Sequence, residues 1–181
     1  GGVPGRDRAS AMGMVMVLEE MLPDLGMQVK GLRFSLLGYG KVGSWIARIL
    51  QERGATLVAA MDDTGAVRND HGFDAADLAE HVQLVGGIRG FAQADTVDRE
   101  GFLRAPVDLF IPAALEGMID GESAQLIRAR VVAEAASLPT TPEGDDVLLQ
   151  RGVEVLPSLL CNGGGLVACH MEWTLNKSST T

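Results

Sequence analysis

The sequence predicts an α/β fold: a doubly wound, mostly parallel sheet with helices on both faces. Three observations carry this reading. Short apolar segments alternate along the chain with segments of helical period. The apolar segments are continuous, as expected of strands buried on both faces, and do not alternate with polar residues. A glycine-rich turn, LGYGKVG (37–43), stands between the first apolar run and the helix that follows it.

Taken in order, residues 8–22 (RASAMGMVMVLEEML) place apolar side chains at helical spacing, with Ser10 early and Gly26 just past the end. Met12, Val15 and Met16 on that stripe read as core. A strand is expected at 32–37, then a helix at 41–54 closed by Gly54, with Trp45 on its apolar face. A second strand, 56–62, ends in acid. Turn residues at both ends of 64–73 predict a small hairpin, and Asp74 caps a helix over 74–82. Residues 84–96 carry no firm pattern. Further strands are expected at 107–114, 131–136 and 153–158, with helices at 120–130, 141–152 and 166–176. Glu143, Asp145 and Asp146 fall in a first helical turn, where the helix dipole favours acids without any metal. With no internal repeat or long linker, residues 1–181 read as one domain.

Composition narrows the function classes. A hydrophobic content of 46% argues against disorder. A formal net charge of −9 without any basic tract argues against a nucleic-acid partner. No apolar run approaches the roughly 20 residues that span a bilayer. The opening GGVPGRDRAS has no apolar signal segment. Cys161 and Cys169 lack C-x-x-C spacing and a histidine cluster, so they read as buried free thiols suited to the cytoplasm. His71 and His81 read as surface residues, and His170 as a core or cleft-edge histidine. The chain starts with Gly instead of Met, which reads as a piece of something longer.

The glycine turn carries the main chemical signal. It follows an expected strand and opens an expected helix, the context that G-x-G-x-x-G requires. Gly38 permits the tight turn, Gly40 lets backbone approach a pyrophosphate, and Gly43 lets the helix pack on the strand. Tyr39, Lys41 and Val42 lie within the same turn. N–H groups at the helix start, with the dipole behind them, suit phosphates. Asp62 arrives 24 residues after Gly38, where a carboxylate can accept from both adenosine ribose hydroxyls. The competing reading is a bare strand-to-helix turn with a capping acid; the context favours a Rossmann-type dinucleotide site. Asp62 and Asp63 together would repel a 2′-phosphate, so NAD is expected over NADP, with Arg68 the nearby cation that complicates this.

The segment LLGYGKVGSWIARILQERGATLVAAMDDTG resembles the coenzyme-binding segment of the glutamate dehydrogenases, with its G-F-G-N-V-G and its strand ending S-D-S-x-G. GGVPGRDRAS is similar to the family's G-G-S-x-G-R-x-x-A-T, and PAALEGMI (112–119) to P-A-A-L-E-N-Q-I. VVAEAASLPTTPEGD (131–145) resembles V-A-E-G-A-N-x-P-T-T-P-E-A-D. VLPSLLCNGGGLVACHMEW (155–173) resembles V-x-P-D-I-L-A-N-A-G-G-V-x-V-S-Y-F-E-W. Five motifs in order are far more specific than one, and the P-A-A-L-E form favours the glutamate branch over the leucine and phenylalanine dehydrogenases.

The resemblance implies the C-terminal NAD-binding domain of an oxidoreductase that oxidatively deaminates a 2-amino acid to a 2-oxo acid. By matching position, Ala113 and Ala114 lie near the cofactor riboses, Asn162 bonds the nicotinamide side, and Ser10 replaces a threonine that holds the carboxamide. Arg6, Leu166 and Cys169 line the substrate cleft. Lys41 replaces an asparagine, Ser137 the asparagine of G-A-N, and Cys169 a serine that helps hold a side-chain carboxylate, which puts glutamate specificity in doubt. Glu172 and Trp173 match the family's E-W pair and read as structural. The family's catalytic lysine and aspartate belong to a domain N-terminal to the matched region, and Lys30, Lys41 and Lys177 have no such context. The chain therefore reads as an isolated coenzyme domain, inactive alone, from a homo-oligomeric parent. The alternative is the nucleotide-binding domain of a non-catalytic, regulatory homologue.

Overall fold

The computed structural model describes residues 4–178; Gly1, Gly2 and Val3 of the N-terminal motif lie outside the described residues. Seven strands form one sheet: β1 (Arg33–Leu37), β2 (Thr56–Met61), β3 (Ala66–Arg68), β4 (Asp95–Val97), β5 (Leu109–Pro112), β6 (Val131–Ala133) and β7 (Glu154–Leu156). Their order is β4-β3-β2-β1-β5-β6-β7. The pairs from β2 through β1, β5 and β6 to β7 are parallel, while β3 is antiparallel to both β2 and β4. The chain builds outward from β1 to β4, then crosses back to start β5 on the other side of β1. That reversal opens a crevice at the carboxyl ends of β1 and β5, where open α/β sheets take their ligands.

Side chains alternate across the sheet, so each strand feeds two cores. Phe34, Leu36, Leu109, Ile111, Val131 and Ala133 join a cluster with α1 (Ala9–Met21), α2 (Lys41–Glu52) and α3 (Ala75–Val85). Leu37, Val58, Phe110 and Val132 join a second cluster with α4 (Arg99–Leu103), α5 (Gly121–Leu126) and α6 (Pro142–Gln150). Both faces are therefore covered, as the continuous apolar runs predicted. Two helices remain, α7 (Ser158–Cys161) and α8 (Gly163–Ser178), and α8 lies across α1.

Several elements depart from the sequence reading. The helix expected at 120–130 stops at Leu126, because Ile127 turns extended (ψ 128°) and Arg151 donates to the Ala124 and Ile127 carbonyls. The hairpin expected within 64–73 forms instead between β2 and β3, its turn closed by the Asp62 N–H on the Gly65 carbonyl at 3.0 Å. The unpatterned stretch 84–96 leads into the edge strand β4, too short and too exposed to show a period. α4 and α7 are equally short. The last helix starts at Gly163, three residues early, because glycines hide it from periodicity.

Individual side chains also differ. Val15 is buried and Met12 half-buried, but Met16 is 61% exposed. Cys161 is buried, and burial pushes its thiol up to about 11; Cys169 is exposed on α8. His170 is exposed beside Trp173, and Trp45 is half-buried under the Arg48 guanidinium, 5.5 Å from the ring centroid. Among the described residues no helix is long and apolar enough to cross a membrane, and no His, Cys, Asp and Glu group is placed to hold a metal ion.

Candidate functional site

At the carboxyl ends of β1, β2 and β5 lies a cavity of about 520 Å³. Its walls include Gly38, Tyr39 and Gly40 from the glycine turn, Asp62 and Asp63 after β2, and Ala113 and Ala114 after β5. Backbone hydrogen bonds set this geometry. The Gly38 N–H donates to the Met61 carbonyl at 2.7 Å, and the Ala113 N–H to the Leu37 carbonyl at 2.7 Å. The turn thus continues the β2 ladder on one side and the β5 ladder on the other.

The glycines of the turn answer to different demands. Gly38 has φ 99°, a left-handed conformation, and a Cβ there would stand 2.7 Å from the Ala114 Cβ. A Cβ on Gly43 would collide with the Gly38 carbonyl and stand 2.7 Å from Leu36. Gly40 is unlike both: its backbone is extended, and a Cβ there would meet nothing within 4 Å. No demand of the protein itself calls for glycine at Gly40. Space kept clear at the mouth of a cavity fits a bound group that needs close approach to backbone.

α2 begins immediately after Gly40 and has no side-chain cap. By contrast α3, α4, α5 and α6 are capped by Asp74, Asp98, Asp120 and Thr141. The first N–H groups of an α-helix have no partner within the helix, so at α2 they face the crevice uncompensated. This donor set suits an anion, and with Gly40 it fits a dinucleotide pyrophosphate. The Tyr39 hydroxyl is taken up within the protein: it is buried and donates to the Ala75 carbonyl at 2.7 Å, and burial pushes the phenol pKa well up. Lys41 is exposed at the first position of α2, and Val42 packs against the core.

The remaining sequence-nominated residues do not border this cavity. Asn162 follows α7, and its Nδ2 donates to the Ala136 carbonyl at 3.3 Å, which holds it at the carboxyl edge beyond β6. The buried Glu134 holds the same loop by accepting the Ser158 N–H at 2.9 Å. Ser137 is exposed. Ser10 lies in α1 where α8 crosses, so close that a Cβ on Gly165 would reach 2.5 Å from its hydroxyl. Arg6 and Cys169 do come together, with Arg6 Nη2 at 3.8 Å from Sγ, but Arg6 is also ion-paired with Glu172. Leu166 is 72% exposed on α8.

Sequence reasoning missed Leu37, Met61, Leu115 and Met118, which complete the cavity wall. Apolar residues at the ends of β1 and β2 and in the loop after β5 carry no chemical signal. It also read Glu172 as structural without its partner, since Arg6 lies 166 residues away.

Comparison with known proteins follows the same outline. The Glutamate/Leucine/Phenylalanine/Valine dehydrogenase family model matches residues 1–181. The hetero-hexameric glutamate dehydrogenase of Thermus thermophilus, in a leucine-bound form, is 30% identical, with a TM-score of 0.91 over 99% of this chain and 42% of its own. Glutamate dehydrogenase from Peptoniphilus asaccharolyticus is 30% identical, with a TM-score of 0.77 over 97% of this chain and 40% of its own. The Plasmodium falciparum glutamate dehydrogenase, 23% identical with a TM-score of 0.88 over 98% of this chain and 40% of its own, shares the fold. The chain thus spans about two-fifths of the length of the solved chains it matches. With the fold, the glycine turn and the family match in agreement, the chain belongs to the Glutamate/Leucine/Phenylalanine/Valine dehydrogenase family.

Proposed function

We propose that this chain binds NAD(H) in the β1–β5 crevice and serves as the cofactor-binding part of a glutamate-dehydrogenase-like amino-acid dehydrogenase. The observation that carries the reading is Gly40, a glycine that neither backbone conformation nor packing requires, at the mouth of a cavity faced by an uncapped helix. When bound, the nicotinamide supplies the hydride acceptor for oxidation of a 2-amino acid to a 2-oxo acid. The chain's own residues bind and orient it. The first N–H groups of α2 hold the pyrophosphate, Ala113 and Ala114 offer backbone near the riboses, and Asn162 and Ser10 serve the nicotinamide side by family match. The family match and the named glutamate dehydrogenases support the reaction class. Assembly with further subunits belongs to the same proposal, since the Thermus thermophilus relative is hetero-hexameric.

On the substrate side we assign Arg6, Leu166 and Cys169 to the cleft. The Arg6 charge is already balanced by Glu172, and a thiol is a weaker partner than a hydroxyl. A preference for glutamate over uncharged amino acids is therefore expected to be slight. The central test is calorimetric titration of the chain. NADH is expected to bind more tightly than NADPH, and Gly40→Val is expected to abolish NADH binding with the melting temperature unchanged. Full NADH affinity in Gly40→Val would place the phosphates elsewhere.

A further inference from the structure

Among the described residues Glu134 is the only charged side chain that is buried, at 6% exposure. It follows β6 directly, and no lysine, arginine or histidine pairs with it among the described residues. The ionisable groups beside it offer no compensation. They are Asp145 on α6, whose carboxyl is pushed up by burial and then by the Glu134 charge, and the buried Cys161 thiol. A carboxylate buried without a counter-ion is costly unless hydrogen bonds offset the loss of water.

The offsetting donor belongs to α7. That helix starts after Pro157, whose side chain cannot cap it, and Glu134 Oε2 accepts its first N–H, from Ser158, at 2.9 Å. Glu134 therefore caps α7 from just past β6, 24 residues earlier in the chain. The backbone around it is fixed as well. The Glu134 N–H donates to the Leu156 carbonyl at 3.0 Å, and the Ala135 N–H to the Pro112 carbonyl at 2.9 Å, one residue short of Ala113 in the cavity wall. Asn162 ends α7, and its Nδ2 reaches back to the Ala136 carbonyl. One short segment, 134–136, thus joins β5, β7 and both ends of α7.

We propose that Glu134 is a positioning residue for the nicotinamide half of the cofactor: by capping α7 it sets where Asn162 presents its amide. The assignment rests on the NAD(H) reading of the crevice and on Asn162 serving the nicotinamide side. A dinucleotide whose pyrophosphate lies at the start of α2 has one half on the β2 side and the other on the side of β5 and β6. Glu134 lies with the second half and touches no cofactor itself. With four residues, α7 is about one turn, too short to hold its place through its own hydrogen bonds. Loss of the cap therefore frees Asn162, while the contacts at Gly40 and the end of β2 stay as they are.

The test is titration of the chain with NADH and with ADP-ribose, which keeps the adenosine and pyrophosphate but lacks the nicotinamide. Glu134→Ala is expected to weaken NADH about fivefold and to leave ADP-ribose unchanged. Glu134→Gln, whose amide carbonyl still accepts the Ser158 N–H, is expected to keep wild-type NADH affinity. Ser158→Pro removes the donor at a helix position that suits proline, and is expected to weaken NADH as Glu134→Ala does. In an Asn162→Ala background, Glu134→Ala is expected to add no further loss. If Glu134→Ala does not fold, Ser158→Pro carries the test. Wild-type NADH affinity in Ser158→Pro, or equal weakening of NADH and ADP-ribose, overturns the assignment. A wild-type chain that binds NADH no more tightly than ADP-ribose defeats this assignment and leaves the crevice reading standing. A chain that binds neither defeats both.

Discussion

Within one seven-residue turn, three glycines are retained for different physical reasons. Gly38 answers to backbone conformation, Gly43 to helix–strand packing, and Gly40 to empty space. They should therefore separate experimentally. Gly43→Ala drives a methyl into the Gly38 carbonyl and the Leu36 side chain, and overpacking of this kind costs about 1–3 kcal/mol. Thermal melts are expected to show that loss for Gly43→Ala and none for Gly40→Ala. A wild-type melting temperature in Gly43→Ala would mean that the turn relaxes freely and that packing does not require this glycine. The spacing of these glycines was legible in the sequence. The occupation of Asp62 was not, because the donor Ile88 is 26 residues away and comes from an unpatterned loop.

Helix ends and helix crossings decide how the elements of this fold behave. Helices α3 to α6 are capped by Asp or Thr side chains, while α2 is left open. Caps such as Asp74 are local signals and were readable in advance. The crossing of α1 and α8 was not, since it joins glycines from opposite ends of the chain. A Cβ on Gly13 would stand 2.6 Å from the Gly164 Cα, so the two helices touch backbone to backbone. Gly13→Val is expected to push α8 away, with faster amide hydrogen exchange over residues 163–178 and undiminished protection of β1, β2 and β5. Uniform loss of protection in all these elements would show that α8 is not separable from the sheet. The same displacement would part Ser10 from Gly165.

For the molecule as a whole, the distribution of lysine is decisive. Lys41 is exposed at the start of α2, Lys30 packs beside Gly54, and Lys177 lies 4.2 Å over the Trp173 ring. None of them borders the cavity. A positioned acid–base group contributes about 10²–10⁴-fold, and positioning of the substrate contributes further. The chain assayed alone is therefore expected to bind NADH without oxidising it. With 2-oxoglutarate and ammonium, the absorbance trace should match that of a protein-free control. Turnover clearly above that control would overturn the expectation, and Lys41→Ala would be the first variant to examine.

The fold class followed from the chain because its evidence is local. Continuous apolar strands, helical periods and a glycine turn are properties of neighbouring residues, and burial on both faces leaves a mark on every strand. Short pieces such as β4, α4 and α7 escaped because three to five residues cannot establish a period. Residue types at the candidate site were equally visible, as were the motifs that resemble the glutamate dehydrogenases. Which of those residues are still available was decided only by tertiary contact. Asp62, Arg68 and Arg6 are occupied by Ile88, Asp70 and Glu172, whereas the side chains of Asp63 and Arg89 have no partner among the described residues. A charged side chain is as useful as the lone pairs or protons its neighbours leave it, and those neighbours come mostly from distant parts of the chain.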